Sequence, residues 1–285
     1  MHKTKITIIM AVYNRVEKIE QCISSVVNQT YDNLEYIIID GGSTDGTVDV
    51  IKKYENKIAY WCSESDAGIY DAWNKGVSHA TGDYINFIGS DDAMFDNLSI
   101  ERIARYLDGK LDVLAGNIIL VNEQTHFENV LNNVHVKSRN TYKGGCILTQ
   151  GTFIKRTIFD KYKFDLSYKI AADYKMFLQY YYDESIKIQF IDNVIQYFSN
   201  EGVSTTNFNF VKQEDNRIYN ELGLYELVDC HLAKRECVIK CKLKMFLKMI
   251  GIWDTLQRIY HLQIKGDWKK HHCNNKICRW CGRYE

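Results

Sequence analysis

Two spacings of apolar residues alternate along the first 110 positions. Residues 5–10 form a β-branched run, the pattern of a strand buried on both faces. Residues 17–28 carry Ile19, Ile23, Val26 and Val27 at helical spacing. Residues 35–40 (EYIIID) predict a second buried strand, and 47–54 a helix opened by the turn at Ser43–Thr47. A third strand is expected over 58–62, a helix over 69–80 and a fourth strand over 84–88. Alternation of this kind predicts an α/β chain of βαβ units, a Rossmann-like, mainly parallel sheet with helices on both faces. The pattern then becomes mixed: strands over 113–121, 146–154 and 186–195, a helix over 171–182, and helical spacing beyond 207.

In open sheets of this class ligands bind outside the carboxyl ends of the strands. Here those ends are polar. The first strand runs into Ala11-Val12-Tyr13-Asn14, the second ends in Asp40-Gly41-Gly42-Ser43-Thr44-Asp45-Gly46, and the fourth in Gly89-Ser90-Asp91-Asp92. Two adjacent carboxylates at a strand end suit a hard cation such as Mg²⁺ or Mn²⁺, which takes one or two protein carboxylates and completes its shell with water and phosphate oxygens. Read alone, the pair is equally an Asp-rich turn that caps the next helix.

Its surroundings narrow the choice. The run over residues 63–92 (SESDAGIYDAWNKGVSHATGDYINFIGSDD) resembles the donor-site signature of glycosyltransferase family 2. So do IIMAVYNR over 8–15, Gln29-Thr30-Tyr31 and IDGGSTDGT over 39–47. Within that family the chain looks most like enzymes that build bacterial capsule, exopolysaccharide and O-antigen. The resemblance implies a GT-A fold, a nucleotide-diphospho-sugar donor, a divalent metal (Mn²⁺ or Mg²⁺), inversion at the anomeric carbon, and a glycan or lipid-linked saccharide acceptor.

The implied roles carry over position by position. Ala11 and Tyr13 match strand-end positions that contact the base, although the family usually has Thr or Ser where this chain has Ala11. Asp40 matches the carboxylate that reads the base edge, typically uracil. Asp66, Asp71 and Asn74 match polar positions lining ribose, diphosphate and donor sugar. Asp91 matches the acidic residue near the ribose, and Asp92 the metal ligand. Asp173, in Ile170-Ala171-Ala172-Asp173, resembles the catalytic base that opens a helix beneath the acceptor; Asp165 and Asp192 are weaker alternatives. Gln150 with Gly151 resembles an acceptor-side position, and Gly202-Val203-Ser204 a loop near the diphosphate. These matches divide the chain into a catalytic domain over 1–229, with a donor half to residue 110 and an acceptor half after it, and a C-terminal extension over 230–285.

The rival nucleotide-binding classes fit less well. A sugar-1-phosphate nucleotidyltransferase needs a Gly-rich first loop, where this chain has Ala-Val-Tyr-Asn, and a dinucleotide oxidoreductase needs GxGxxG after the first strand. A non-catalytic membrane adaptor with a degenerate nucleotide fold would have no use for both Asp92 and Asp173.

Charge adds a second feature. Thirty-six basic and 36 acidic residues cancel over the 285 positions, and at face value that argues against a nucleic-acid partner. The cancellation is between regions: residues 230–285 hold 13 Lys or Arg against four acidic residues, a net of +9, which leaves −9 on the rest. Ile239, Leu243, Phe246, Ile250 and Trp253 share one helical face there, with Lys240, Lys244 and Lys248 on another. The extension therefore reads as a basic amphipathic helix, suited either to an anionic membrane surface or to packing on the catalytic domain. The apolar run at 6–12 is short and lacks a cleavage pattern, and no stretch of ~18 apolar residues occurs. Together these predict a cytoplasmic protein, peripheral on the inner membrane if the tail binds lipid. Nine cysteines, six of them in the last 56 residues, fit a reducing compartment. Cys273, Cys278 and Cys281 with His271 and His272 could ligate zinc, but their irregular spacing reads rather as free thiols. Proline is absent, where about 14 would be usual.

Overall fold

The structure, a computed structural model, describes residues 3–124, 127–131, 149–200, 208–224 and 269–270. The first half follows the predicted alternation: β1 (Ile6–Val12), α1 (Ile19–Val27), β2 (Leu34–Asp40), α2 (Thr47–Lys53), β3 (Tyr60–Ser63), α3 (Ile69–His79), β4 (Tyr84–Gly89), β5 (Ala93–Met94) and α4 (Ser99–Ala104). After it come β6 (Val113–Val121), β7 (Phe127–Leu131), β8 (Thr152–Lys155), α5 (Ile158–Lys161), α6 (Ala172–Tyr181), β9 (Ile188–Ser199), α7 (Phe208–Leu222) and β10 (Lys269–Lys270).

The ten strands among the described residues join one sheet. Its main path runs β10-β7-β6-β8-β4-β1-β2-β3, and β9 pairs with β5 and β6. Strands β4, β1, β2 and β3 are parallel, and their register aligns Ala11 with Gly89, Val12 with Asp40 and Asp40 with Ser63. The carboxyl ends of all four strands therefore lie at one rim.

Both faces of β1 are buried, which is why its sequence is continuously apolar rather than alternating. Parity still sorts the side chains. Ile9, Ile37, Ile39 and Phe87 pack with Trp73 of α3 and Phe177 of α6, whereas Ile8, Met10 and Ile38 pack with Ile23 of α1, Ile51 of α2 and Ile100 of α4. On the first face α3 lies so close to the sheet that a Cβ on Gly76 would come 2.5 Å from Cγ2 of Ile9.

The second half differs from expectation in three places. Strand β8 pairs antiparallel with β4 and β6, and β6–β7 and β5–β9 are also antiparallel, whereas β6–β9 is parallel, so the second half of the sheet is mixed. The strand expected over 146–154 is shorter: Thr149–Gly151 forms a 3₁₀ turn and only Thr152–Lys155 is extended. In the extension, Lys269 and Lys270 pair antiparallel with Glu128 and Phe127, a strand contact where helix was expected. The rest of that extension, with its apolar face and Cys/His cluster, lies outside the described residues, as does Gly202–Ser204. Among the described residues no helix is long and apolar enough to cross a membrane.

Candidate active site

The rim of the parallel strands is stitched together by its own polar groups. The amides of Asn14, Arg15 and Val16 donate to Ser43 Oγ (2.7 Å), Thr47 Oγ1 (2.8 Å) and Asp45 Oδ2 (3.0 Å), while Thr44 N donates to Asn14 Oδ1 (2.9 Å). Asn14 sits at φ 49°, left-handed backbone that asparagine tolerates better than most residues. The first loop is thus moulded onto the second. Where the buried run of β1 ends, Tyr13 emerges with 60% of its surface exposed, a ring face available for stacking on a base. Ala11, expected beside the base, is buried at the end of β1 and its methyl group joins the apolar core.

Asp40 is fully buried at the end of β2. Its carboxylate accepts from Gly42 N (3.1 Å), Ser43 N (2.9 Å), Ser43 Oγ and Ser63 Oγ (2.5 Å), so it organises the loop around it. Asp66 accepts from Gly68 N (2.9 Å) and lies against Gly41, and Asp71 accepts from Ala67 N (3.0 Å). These two carboxylates fold the entry loop of α3 over the strand ends. Asn74, expected to line the donor, makes a two-point bridge to the backbone of Phe164, with Nδ2 to O at 2.8 Å and N to Oδ1 at 3.3 Å. That bridge ties the donor half to the segment leading to α6.

The two carboxylates after β4 sit in different settings. Asp92, the expected metal ligand, is 1% exposed. Its Oδ2 accepts from Gly89 N (3.0 Å) and its Oδ1 from Ser199 N (3.0 Å), so it clasps the ends of β4 and β9 together. A Cβ at Gly89 would come 2.6 Å from Asp92 Oδ2 and 3.1 Å from Asp91 Oδ1; glycine there lets both carboxylates fold back over the strand end. Asp91 lines a cleft of about 460 Å³ together with Asn14, Arg15, Lys18 and Asp45. Among the described residues no cluster of three or more His, Cys, Asp or Glu side chains surrounds a common point. A cation that takes one carboxylate and otherwise phosphate and water fits the donor set of the Asp91–Asp92 pair: each Asp92 oxygen accepts one backbone amide and keeps a second lone pair, and Asp91 lines the cleft beside it.

On the acceptor side Asp173 occupies the first turn of α6. Burial raises its proton affinity above the ordinary carboxylate range, against the opposing effect of hydrogen bonds from Tyr70, Thr149 and the backbone amides of Tyr174 and itself. Tyr70 Oη lies 2.8 Å from Oδ1, and Thr149 Oγ1 lies 3.3 Å from Oδ2. The weaker candidates are committed elsewhere. Asp165 pairs with Lys175 at 2.7 Å, and although burial opposes it, that pairing and its bonds to Ser167 hold the carboxyl near about 2; Asp192 accepts from Asn117 Nδ2 at 2.8 Å. Gln150 meets the donor half through its backbone carbonyl, which accepts from Asn86 Nδ2 at 2.8 Å.

Three residues that sequence reasoning missed belong to this region. Tyr70 lay within the signature run, but no role was read for it there. Glu214 and Asp215 come from α7, far along the chain, and no local pattern joins them to Asp173. Asp215 is pushed up to about 7 by burial, then by the charges of Asp173 and Glu214.

Comparison with known proteins gives the family. Residues 7–174 match the model of the family described as Glycosyl transferase family 2. Glycosyltransferase GlyA of Streptococcus pneumoniae is 26% identical over 188 residues, covering 59% of this chain and 27% of GlyA, so the chain spans about a quarter of that relative's length. A PGL/p-HBAD biosynthesis glycosyltransferase of Mycobacterium bovis is 26% identical over 204 residues, 69% of this chain and 77% of the relative. The fold is shared with S. aureus TarS 1-349, solved in complex with UDP-GlcNAc, at a TM-score of 0.62 and 20% identity over 87% of this chain and 78% of TarS 1-349. It is also shared with the mannosyltransferase PcManGT of Pyrobaculum calidifontis, solved with GDP-Man and Mn²⁺, at 0.62 and 15% identity over 81% and 71%. The family match extends over more than half of the sequence, from β1 to the first turn of α6, and the chain belongs to glycosyl transferase family 2.

Proposed function

We propose that this chain transfers a sugar, with inversion, from a nucleotide-diphospho-sugar to a hydroxyl of a glycan or lipid-linked saccharide, as a step in building a bacterial surface polysaccharide. The observation that carries the reading is the setting of Asp173: a carboxylate in the first turn of α6, held by Tyr70 and Thr149, with raised proton affinity. Inversion requires one base to take the acceptor proton on the face opposite the leaving group, and a carboxylate performs this best when its pKa lies nearer the working pH than that of a free aspartate. Tyr13 would stack on the base, and the loop built by Asp40, Asp66 and Asp71 would shape the rest of the donor pocket. TarS 1-349 was solved with UDP-GlcNAc, which supports a UDP-linked donor. A Mn²⁺ or Mg²⁺ ion held by Asp92, with Asp91 toward the ribose, would supply Lewis-acid stabilisation of the leaving diphosphate. The extension, at +9, supports a peripheral position on the cytoplasmic face of the membrane, beside a lipid-linked acceptor.

Thermal-shift screening of nucleotide sugars with Mn²⁺ tests the donor, because a ligand that binds only the native state raises the melting midpoint. Asp173→Asn is then expected to keep donor binding and lose transfer. Transfer at the wild-type rate would refute the assignment of the base.

A further inference from the structure

We infer that Glu214, on α7, is a positioning residue for Asp173, and that it acts by capping from a distance the backbone that leads into the base-bearing helix. Its carboxylate is buried and accepts three consecutive amides: Lys169 N at 2.8 Å through Oε1, and Ile170 N and Ala171 N, both at 2.9 Å, through Oε2. These residues immediately precede α6, whose N-cap, Ala171, has no side chain able to cap. Helices ordinarily begin with a local Ser, Thr, Asp or Asn. Here the acceptor is borrowed from a residue 43 positions after Ala171. A buried carboxylate with three charge-assisted bonds fixes the orientation of the peptides it holds. One of them presents the Ile170 carbonyl to Tyr70 Oη, the same hydroxyl that meets Asp173. Asp173 is thereby held from three sides: by Tyr70 of α3, by Thr149 of the turn before β8, and by Glu214 through the backbone. The inference rests on the reading of Asp173 as the base, but its test does not need turnover.

The ionisable groups around Asp173 are Tyr70 from α3, bonded to it, and Asp215 from α7, whose proton affinity it raises; Glu214 raises Asp215 in turn and holds the backbone two residues before Asp173. In Glu214→Gln a negative charge disappears and the entry loop loosens toward water, and both changes favour the ionised form of Asp173. In the full chain, the amides of Lys169, Ile170 and Ala171 are expected to exchange about tenfold faster or more. The Asp173 carboxyl, followed by ¹³C NMR, is expected to titrate at lower pH. Unchanged exchange with unchanged titration would overturn the inference. So would faster exchange with Asp173 unmoved, because Glu214 would then anchor the loop without positioning the base. If Glu214→Gln does not fold, Glu214→Asp, which keeps the charge but falls one methylene short, is read by the same two measurements. The reading of Asp173 as the base fails separately, through normal transfer by Asp173→Asn, and that result would leave the titration result standing.

Discussion

The hydroxyl of Tyr70, on a helix of the donor half, lies 2.8 Å from Oδ1 of Asp173 in the acceptor half and also reaches the carbonyl of Ile170. A phenol has one hydrogen, so it cannot donate to both at once. With Asp173 ionised, the hydrogen belongs to the carboxylate. Once Asp173 carries a proton, that proton can be donated to the phenol oxygen while the phenol hydrogen turns to Ile170. Either protonation state of Asp173 therefore has hydrogen-bond partners. Tyr70 adjoins Asp71, which accepts from Ala67 N, so one helix turn links the loop before α3 to Asp173.

Tyr70→Phe should accordingly damage chemistry more than binding. The ionised form of Asp173 loses a donor worth about 1.5–3 kcal/mol, so kcat is expected to fall by about 10- to 100-fold with little change in donor affinity. Because that bond favours the charged form, its loss should move the acidic limb of the kcat profile to higher pH. An unmoved limb in a steady-state pH series would contradict the pairing.

How much of this was visible in the sequence depended on distance along the chain. The parallel half was legible because β1, β2 and β4 are continuous apolar runs whose polar ends recur at each strand terminus. Asp91, Asp92 and Asp173 stood out because motif and position coincide. What local pattern did not encode were the ties between distant segments: Asp92 to Ser199, Asn74 to Phe164 and Glu214 to the entry of α6. Each joins a side chain to the backbone of a remote segment, and a backbone amide has no sequence signature. The antiparallel placement of β8 was hidden for a related reason, since a short buried run reads the same in either direction.

The clasp made by Asp92 predicts that the two neighbouring aspartates will separate on mutation. Asp92→Ala leaves two backbone amides without their acceptor and is expected to cost about 2–4 kcal/mol in denaturant unfolding. Asp91→Asn should leave stability within about 0.5 kcal/mol of wild type and instead weaken Mn²⁺-dependent donor binding, measured by calorimetry. Equal stability losses in the two variants would contradict this division.

Asp215 predicts a stability slope of unusual sign. Its native pKa, about 7, lies above the ordinary carboxylate value, so the folded state binds more protons than the unfolded state in the interval between them. Its contribution is favourable below pH ~4 and is lost as the pH rises through about 7. Asp215→Asn removes this dependence and should make the chain more stable than wild type at pH 8, on the order of 1–2 kcal/mol after allowance for solvent screening. Parallel melting curves of the two proteins from pH 5 to 8 would refute the raised value.

Glu35 predicts the opposite slope at the opposite end of the sheet. It is buried near the start of β2 and accepts from Lys5 Nζ (2.7 Å), Thr7 Oγ1 (2.6 Å), Thr81 N (2.8 Å) and Thr81 Oγ1 (2.5 Å). Burial alone would raise its pKa, but these bonds outweigh it and hold the carboxyl at about 2. The group is therefore charged more readily in the folded chain than in the unfolded one. Its contribution is complete above the ordinary value of 4.5 and is lost as the pH falls through about 2. With Lys5 partly exposed, the contribution discounts to about 2 kcal/mol. It clamps β1, β2 and the approach to β4 at the rim away from the cleft, so Glu35→Gln should lower the melting midpoint at pH 7 while leaving donor affinity intact. The deficit should narrow between pH 4.5 and 2 as wild type loses the same charge. A constant deficit across that range would show that Glu35 acts through packing rather than through its charge.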